Sequence, residues 1–140
     1  MSYLIDTDEV INYLRARQPD ATRIGALIET QFQLFISLIT YYEIYDGIFR
    51  SKNVDRAEAG FLRLLQRVDI LSMDEDLMRL AARFRGQLET GGQRIGDADT
   101  IIAATAIHLD LTLVTRNARH FERISGLRIL SDHMESSSTQ

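Results

Sequence analysis

The chain contains no cysteine, a single proline and a single lysine. Without cysteine there is no disulfide framework, thiolate metal site, iron-sulfur cluster or cysteine nucleophile, and the composition fits a reducing compartment. No apolar run approaches the roughly 20 residues of a membrane span, and the N-terminus has no basic segment followed by an apolar run. We therefore expect a cytoplasmic protein with no membrane contact.

Basic residues are fewer than acidic residues, 16 against 20, and the formal net charge is -4. The field of the whole molecule should repel a polyanion, which argues against binding nucleic acid through net charge. All the basic residues except Lys52 are arginine, the side chain suited to bidentate contacts with phosphate or carboxylate. A local basic rim around an acidic site is therefore still compatible with the sequence.

Short apolar runs alternate with segments of helical spacing along the 140 residues, which amount to one domain. This alternation predicts a parallel sheet with helices on both faces, an α/β fold. We assign the domain to residues 1–132 and predict a disordered tail over residues 133–140. Strands are predicted at residues 2–5, 33–37, 69–71, 111–115 and 127–130.

Polar residues follow the predicted strands, and in a parallel sheet ligands bind beyond the carboxyl ends of the strands. Asp6 and Asp8 end the first apolar run, Ser37 and Thr40 end the second, and Thr115 ends the fourth, followed by Arg116 and Asn117. This edge of the sheet is where the sequence predicts a functional site.

Purely structural roles compete with function for several of these acids. Asp8 has the position of a helix N-cap, whereas Asp6 has no such explanation. Thr40 and Glu43 match a capping box, in which the glutamate only reaches back to a backbone N–H. Asp97 and Asp99 open a predicted helix, where carboxylates favour the dipole. These alternatives remain open when each residue is considered alone.

Taken together, three strand-to-helix junctions each bring a carboxylate to the same edge of one sheet. Carboxylates held this close repel one another, and a divalent cation removes that cost. Hard oxygen ligands favour Mg²⁺ or Mn²⁺ over zinc. An ion in such a cage can activate water and neutralise a phosphate under attack.

Four blocks of the sequence resemble PIN-domain ribonucleases, and specifically the VapC toxins of bacterial and archaeal toxin-antitoxin pairs. They occur in the right order between residues 3 and 130, and the last is followed by His120-Phe121 and Gly126-Leu127. The blocks read YLIDTDEVI at 3–11, ISLITYYEI at 36–44, IGDADTIIAATA at 95–106 and TLVTRN at 112–117.

The resemblance implies a three-layer α/β/α sandwich with a central parallel sheet. It also implies an endoribonuclease that depends on Mg²⁺ or Mn²⁺ and leaves 5'-phosphate and 3'-hydroxyl ends. Asp6, Glu43 and Asp99 match the family's three acids and would be the catalytic, metal-holding trio. Asp97 would be a further ligand, acting through water or on a second ion.

The fourth acidic position of the family is occupied here by the neutral Asn117, and His120 stands where many relatives have aspartate. This departure bears on whether a second metal ion binds. The resemblance makes Thr7 and Thr115 hydroxyl donors beside the site and Asn117 a ligand or a residue that positions water. Arg116 would touch phosphate, although a solvated surface charge is an equal alternative.

The resemblance further implies an RNA substrate, a homodimer and an antitoxin partner similar to VapB. The antitoxin's C-terminal segment would wrap the toxin and push an arginine or lysine toward the acids. Its groove would have walls from Val10, Tyr13, Leu14, Leu27 and the helix over residues 41–49, unless these side chains are all internal.

Two other functions compete with a nuclease. A phosphatase of the haloacid dehalogenase type would use Asp6 and Asp8 as nucleophile and acid/base, but that chemistry needs a lysine near the phosphate and only Lys52 exists. A PIN-fold binding module would hold metal without cleaving RNA. The intact trio argues against it, and the missing fourth acid keeps it open.

Overall fold

A computed structural model describes residues 1–92 and 94–131. These residues form a five-stranded sheet in the order β3-β2-β1-β4-β5, in which every neighbouring pair is parallel. The two strands nearest the C-terminus are shorter than the sequence predicts. The strands are β1 (Ser2–Ile5), β2 (Gln33–Ser37), β3 (Asp69–Leu71), β4 (Thr112–Val114) and β5 (Ile129–Leu130).

Within the described residues, seven α-helices connect the strands, and a 3-10 turn at Pro19–Ala21 separates the first two helices. In helix α6 (Asp97–His108), most residues from Thr100 to Ala106 are buried. The helices are α1 (Thr7–Arg15), α2 (Arg23–Ile28), α3 (Leu38–Phe49), α4 (Val54–Leu64), α5 (Glu75–Thr90), α6 (Asp97–His108) and α7 (Ala118–Phe121).

Two hydrophobic cores lie on opposite faces of the sheet. Successive side chains of a strand point to opposite faces, so in β1 Tyr3 and Ile5 join the core under α1 to α4, while Leu4 joins the core under α6 and α7. A third cluster packs Leu77 and Ala81 of α5 against Ala104. These layers confirm the predicted three-layer α/β/α sandwich.

The predicted tail at residues 133–140 lies outside the described residues. Within the described ranges, none of the helices is both long enough and apolar enough to cross a membrane.

Candidate active site

The carboxyl edge of the sheet carries acids from three distant parts of the chain. Asp6 directly follows β1 in the centre of the sheet, Glu43 lies in the second turn of α3 after β2, and Asp99 lies in the first turn of α6. Asp99 follows α5 and not a strand, so the prediction of a third strand-to-helix junction was wrong. The fold nevertheless brings together residues separated by up to 93 positions in the sequence, because the parallel strands all end at the edge where α6 begins.

Asp6 is only 3% exposed, and both of its carboxylate oxygens accept hydrogen bonds. Its Oδ1 accepts from the backbone N–H of Thr7 at 2.8 Å, and its Oδ2 accepts from the Thr115 hydroxyl at 2.8 Å. Asp6 is also the N-cap of α1, whereas Asp8 lies within the first turn. The expectation that Asp6 has no structural role was therefore wrong, and so was the alternative in which Asp8 is the cap.

The pKa of Asp6 is raised from 3.8 to about 7, mainly by burial; the nearby charges of Asp99 and Asp8 contribute to the rise, and the hydrogen bonds from Thr115 and Thr7 oppose it. Desolvation penalises the charged form, and neighbouring anions add to that penalty. Asp6 is therefore the buried centre of an acidic cluster that a cation would stabilise.

Glu43 is linked to the site through two threonine hydroxyls. The Thr7 hydroxyl donates to Glu43 Oε1 at 2.7 Å and lies 2.9 Å from Thr40 Oγ1. A hydroxyl has one proton, so the buried Thr40 is the donor in the second contact. The capping-box alternative for Thr40 and Glu43 was wrong, because α3 starts three residues earlier with Ser37 as its N-cap.

The other predicted site residues lie around this centre. His120 Nδ1 lies 3.4 Å from Asp99 Oδ2. Asn117 binds Asp8 through its side-chain amide and the Thr115 hydroxyl through its backbone N–H. The structure thus joins the segment after β4 to Asp99 and to the start of α1.

Asp97 and Lys52 lie apart from these contacts. Asp97 is exposed and pairs with Arg85 of α5. Lys52 follows the C-terminal end of α3, so the length of that helix separates it by roughly 20 Å from the edge where the acids lie. The lysine that a phosphatase needs is therefore absent from the site.

Sequence reasoning missed the buried ion pair of Glu9 and Arg23, which contacts the site through the backbone of Thr115. Arg23 Nη1 donates to Glu9 Oε1 at 2.7 Å and to the carbonyl oxygen of Thr115 at 3.3 Å. The Glu9 side chain is 1% exposed and that of Arg23 is 9% exposed. Only the fold brings residues 9, 23 and 115 together, so no local sequence signal could have revealed the pair.

The carboxylates are ligands of the type that a hard divalent cation prefers, but they are not positioned to coordinate one ion directly. Among residues 1–92 and 94–131, no three acidic or histidine side chains converge closely enough to hold one ion directly. Mg²⁺ commonly keeps several waters and takes only one or two carboxylates. The buried Asp6, with Asp99 near it and Glu43 reached through Thr7, fits an ion that is held partly through water.

Two cavities flank the acids. One, of about 550 Å³, is lined by α1, α3 and α4, with Glu43, Ile44 and Gly47 among its walls. The other, of about 500 Å³, is lined by the segment from Arg116 to His120 together with Glu122 and Ser131. In the strand order, the first lies on the β2 side of β1 and the second on the β4 side.

Comparison with known proteins agrees with this geometry. The sequence model of the PIN domain matches residues 3–127, which contain all three acids. This chain belongs to the PIN-domain family. The ribonuclease VapC1 of Haemophilus influenzae strain R2866 is 32% identical over 130 residues, covering 91% of this chain and 96% of that protein. The tRNA(fMet)-specific endonuclease VapC of Shigella flexneri is 33% identical over 128 residues, with coverage of 91% and 96%.

Solved structures similar to this PIN domain come from toxin-antitoxin complexes. The structure of VapBC2 from Rickettsia felis, bound to a DNA fragment from their promoter, superposes with a TM-score of 0.84 at 27% identity, covering 94% of this chain and 98% of that one. VapBC-1 from nontypeable Haemophilus influenzae superposes with a TM-score of 0.80 at 30% identity and the same coverage. These similarities identify the chain as a VapC-type PIN domain.

Proposed function

We propose that this chain is the ribonuclease toxin of a toxin-antitoxin pair and that it hydrolyses RNA phosphodiesters at the edge formed by Asp6, Glu43 and Asp99. The observation that carries the proposal is the buried Asp6 carboxylate, which has other acids beside it and no basic residue among its hydrogen-bond partners. Its relatives over nearly the whole chain are ribonucleases by name.

Asp6, Asp99 and Glu43 would hold Mg²⁺ or Mn²⁺, and Asp97 would join them as a further ligand through water only by leaving its pairing with Arg85. When bound, the ion supplies an activated water and neutralises charge on the phosphate. Its positive charge would also keep Asp6 ionised at neutral pH, which burial alone opposes. The need for Mg²⁺ or Mn²⁺ is part of the proposal.

The surrounding side chains fix the acids in place. Thr115 and the Thr7 backbone orient the two oxygens of Asp6, so this carboxylate cannot rotate freely. The Thr7 hydroxyl sets the position of Glu43. Asn117, held between Asp8 and Thr115, is placed to position water or substrate. Holding groups in advance in this way is what allows a site to align a water and a phosphate.

Cleavage of RNA by purified protein tests the proposal. We expect cleavage with Mg²⁺ or Mn²⁺, none in EDTA, and loss of at least a hundredfold in rate for Asp6→Asn, Glu43→Gln and Asp99→Asn, each of which removes one charge from the acidic centre. Lys52→Met is the matched control, because it changes charge far from the site, and it should cleave normally.

The same experiment separates the rival functions. A phosphatase would lose activity with Lys52→Met and form an aspartyl-phosphate on Asp6 that mass spectrometry detects. A binding module would retain RNA without cleaving it under any metal condition. Either result would overturn the nuclease.

We also propose that the cavity on the Glu43 side receives the antitoxin in the cytoplasm, and that the toxin forms a homodimer. Ile11, Leu14 and Ile48 give this cavity apolar walls, while Arg15, Arg56 and Arg63 lie around it. Tyr13 and Leu14 are half-buried, but Val10 and Leu27 belong to the core, so these two predicted groove residues were wrong. A partner segment with apolar and acidic residues fits this surface.

A further inference from the structure

The cavity on the β4 side of the acids differs in its lining from the antitoxin groove, which is the cavity lined by α1, α3 and α4. It has a volume of about 500 Å³ and lies outside the carboxyl ends of β4 and β5. Its volume is within the range of sites that bind small molecules or single groups of a larger ligand. A cavity at this edge of a parallel sheet is in the usual position for a ligand.

Positive charge is concentrated in this cavity although the whole molecule is acidic. Arg116 and Arg119 line it beside His120, and within residues 1–92 and 94–131 Glu122 is the one carboxylate in its lining. Both arginines are exposed, and within the described residues neither forms an ion pair or a side-chain hydrogen bond. Two guanidinium groups in one concavity repel each other, so an anion bound between them would be favourable.

The cavity is continuous with the proposed catalytic edge. Asn117, which lines it, donates to Asp8, and His120, which also lines it, lies 3.4 Å from Asp99. A ligand that extends from the acids along the β4 side must therefore pass over Arg116 and Arg119. The planar fork of arginine matches phosphate oxygens in pairs.

We infer that this basic cavity binds a phosphodiester of the RNA strand next to the scissile one. The inference rests on the proposed ribonuclease function and adds the direction in which the bound RNA strand extends from the acids. RNA and antitoxin would then share only the acidic centre, because β1 lies between the segment after β4 and the groove beside α3. Inhibition would result from occupation of the acids, with the basic cavity left open.

Binding of a fluorescein-labelled single-stranded RNA in EDTA, measured by anisotropy at several salt concentrations, tests the inference without cleavage. Arg116→Gln and Arg119→Gln should each raise the Kd by roughly fivefold at low salt. The double variant should lower the slope of log Kd against log salt by about 0.7, since the two arginines contact one phosphate and each phosphate contact on a single strand contributes about 0.7. With Mg²⁺, KM for cleavage should rise while kcat is retained.

Two control sets make the result specific. Arg83→Gln removes the same charge from an exposed position on α5 and should change the Kd and the salt slope much less. Arg56→Gln and Arg63→Gln change the antitoxin groove and should behave like Arg83→Gln. Thermal unfolding of each variant checks that the exposed substitutions leave the fold unchanged.

The outcomes are distinguishable from failure of the proposed function. If wild-type protein neither binds nor cleaves RNA, the function itself is wrong. If wild-type protein cleaves RNA but the Arg116 and Arg119 variants match Arg83→Gln, the cavity does not contact the substrate and the inference is overturned. Equal losses of RNA affinity in the Arg56 and Arg63 variants would refute separate paths for RNA and antitoxin.

Discussion

Asp6 combines two roles that conflict in the absence of a cation. As the N-cap of α1 it accepts a backbone hydrogen bond, which favours the ionised carboxylate, while its burial disfavours that charge. The pKa of about 7 shows that burial dominates. The ionised form of Asp6 is therefore unfavourable at neutral pH in the metal-free protein, and binding of a cation would remove this cost.

The stability of metal-free protein should depend on pH through this residue. The unfolded chain deprotonates Asp6 near pH 3.8 and the folded protein near pH 7, so the folded state binds the extra proton between these values. The free energy of unfolding should therefore fall as the pH rises from about 4 to about 7. We expect Asp6→Asn to remove this fall and to be more stable than wild type by up to about 4 kcal/mol at pH 8 in EDTA.

Urea unfolding in EDTA from pH 4 to pH 8 measures the effect. Other groups also titrate in this range, so the quantity to compare is the difference between wild type and variant. Asp69→Asn, on an exposed position of β3, should keep the wild-type pH dependence. A sharp loss of stability in Asp6→Asn at every pH would mean that its capping role outweighs its buried charge.

Among the elements, α2 packs closely against the 3-10 turn that precedes it in the sequence. A Cβ atom on Gly25 would lie 2.3 Å from the carbonyl oxygen of Pro19 and 2.6 Å from the Cα of Asp20. These are backbone atoms of the 3-10 turn, so the clash cannot be relieved by moving a side chain. The glycine is required for the turn and the helix to approach each other.

Gly25→Ala should therefore destabilise the protein by about 1 to 3 kcal/mol, the usual cost of overpacking. Gly86→Ala is the matched control, because nothing lies within 4 Å of its Cβ position on α5. There alanine should stabilise the helix by roughly 0.5 to 1 kcal/mol. Thermal unfolding of both variants tests the contrast, and equal effects of the same sign would contradict the close approach.

The elements themselves were predictable from sequence because apolar runs and helical spacing differ clearly in this chain. Helix starts were less predictable. Ser37 both ends β2 and caps α3, and no spacing signal distinguishes it from Thr40 three residues later. Several residues are acceptable caps by type, and only the path of the backbone decides which one is used.

Asp6 was found from its position after a strand, and Glu43 and Asp99 from the family blocks, whereas the residues that support the acids were not found. Arg23 is one arginine among fifteen, and its contact with Thr115 spans 92 positions. Thr40 was considered as a cap and as a polar residue at the functional edge, but its hydroxyl contact with Thr7 across 33 positions was not predicted. Contacts of this length depend on the order of the strands, which the sequence alone does not specify.

At the scale of the whole molecule, the partner and the cation should compete for one centre. A basic side chain delivered along the antitoxin groove would meet Glu43 and the other acids, and a guanidinium binds carboxylates strongly. We expect the protein encoded beside this chain to form a stable complex that suppresses cleavage. Replacing Glu43 by lysine should weaken the complex at least tenfold, measured by isothermal titration, because it reverses the charge that the partner meets.

The control for this titration is Asp69→Lys, a charge reversal of equal size at the exposed start of β3, the opposite end of the strand from the edge where the acids lie. It should leave the affinity nearly unchanged. If Asp6→Ala, Glu43→Ala and Asp99→Ala all bind the partner as wild type does, the partner does not occupy the acids and inhibition must act through the groove alone.

The central position of β1 has a consequence for synthesis of the protein. β1 is made first, but one of its two neighbours is β4, and the hydrogen bond that orients Asp6 comes from Thr115, 109 positions later. Pairings of such long range form late in folding. A nascent chain still short of this strand has Asp6 and Glu43 but lacks the contacts that complete the site. Most of this protein can therefore be synthesised before the nascent chain is able to cleave RNA.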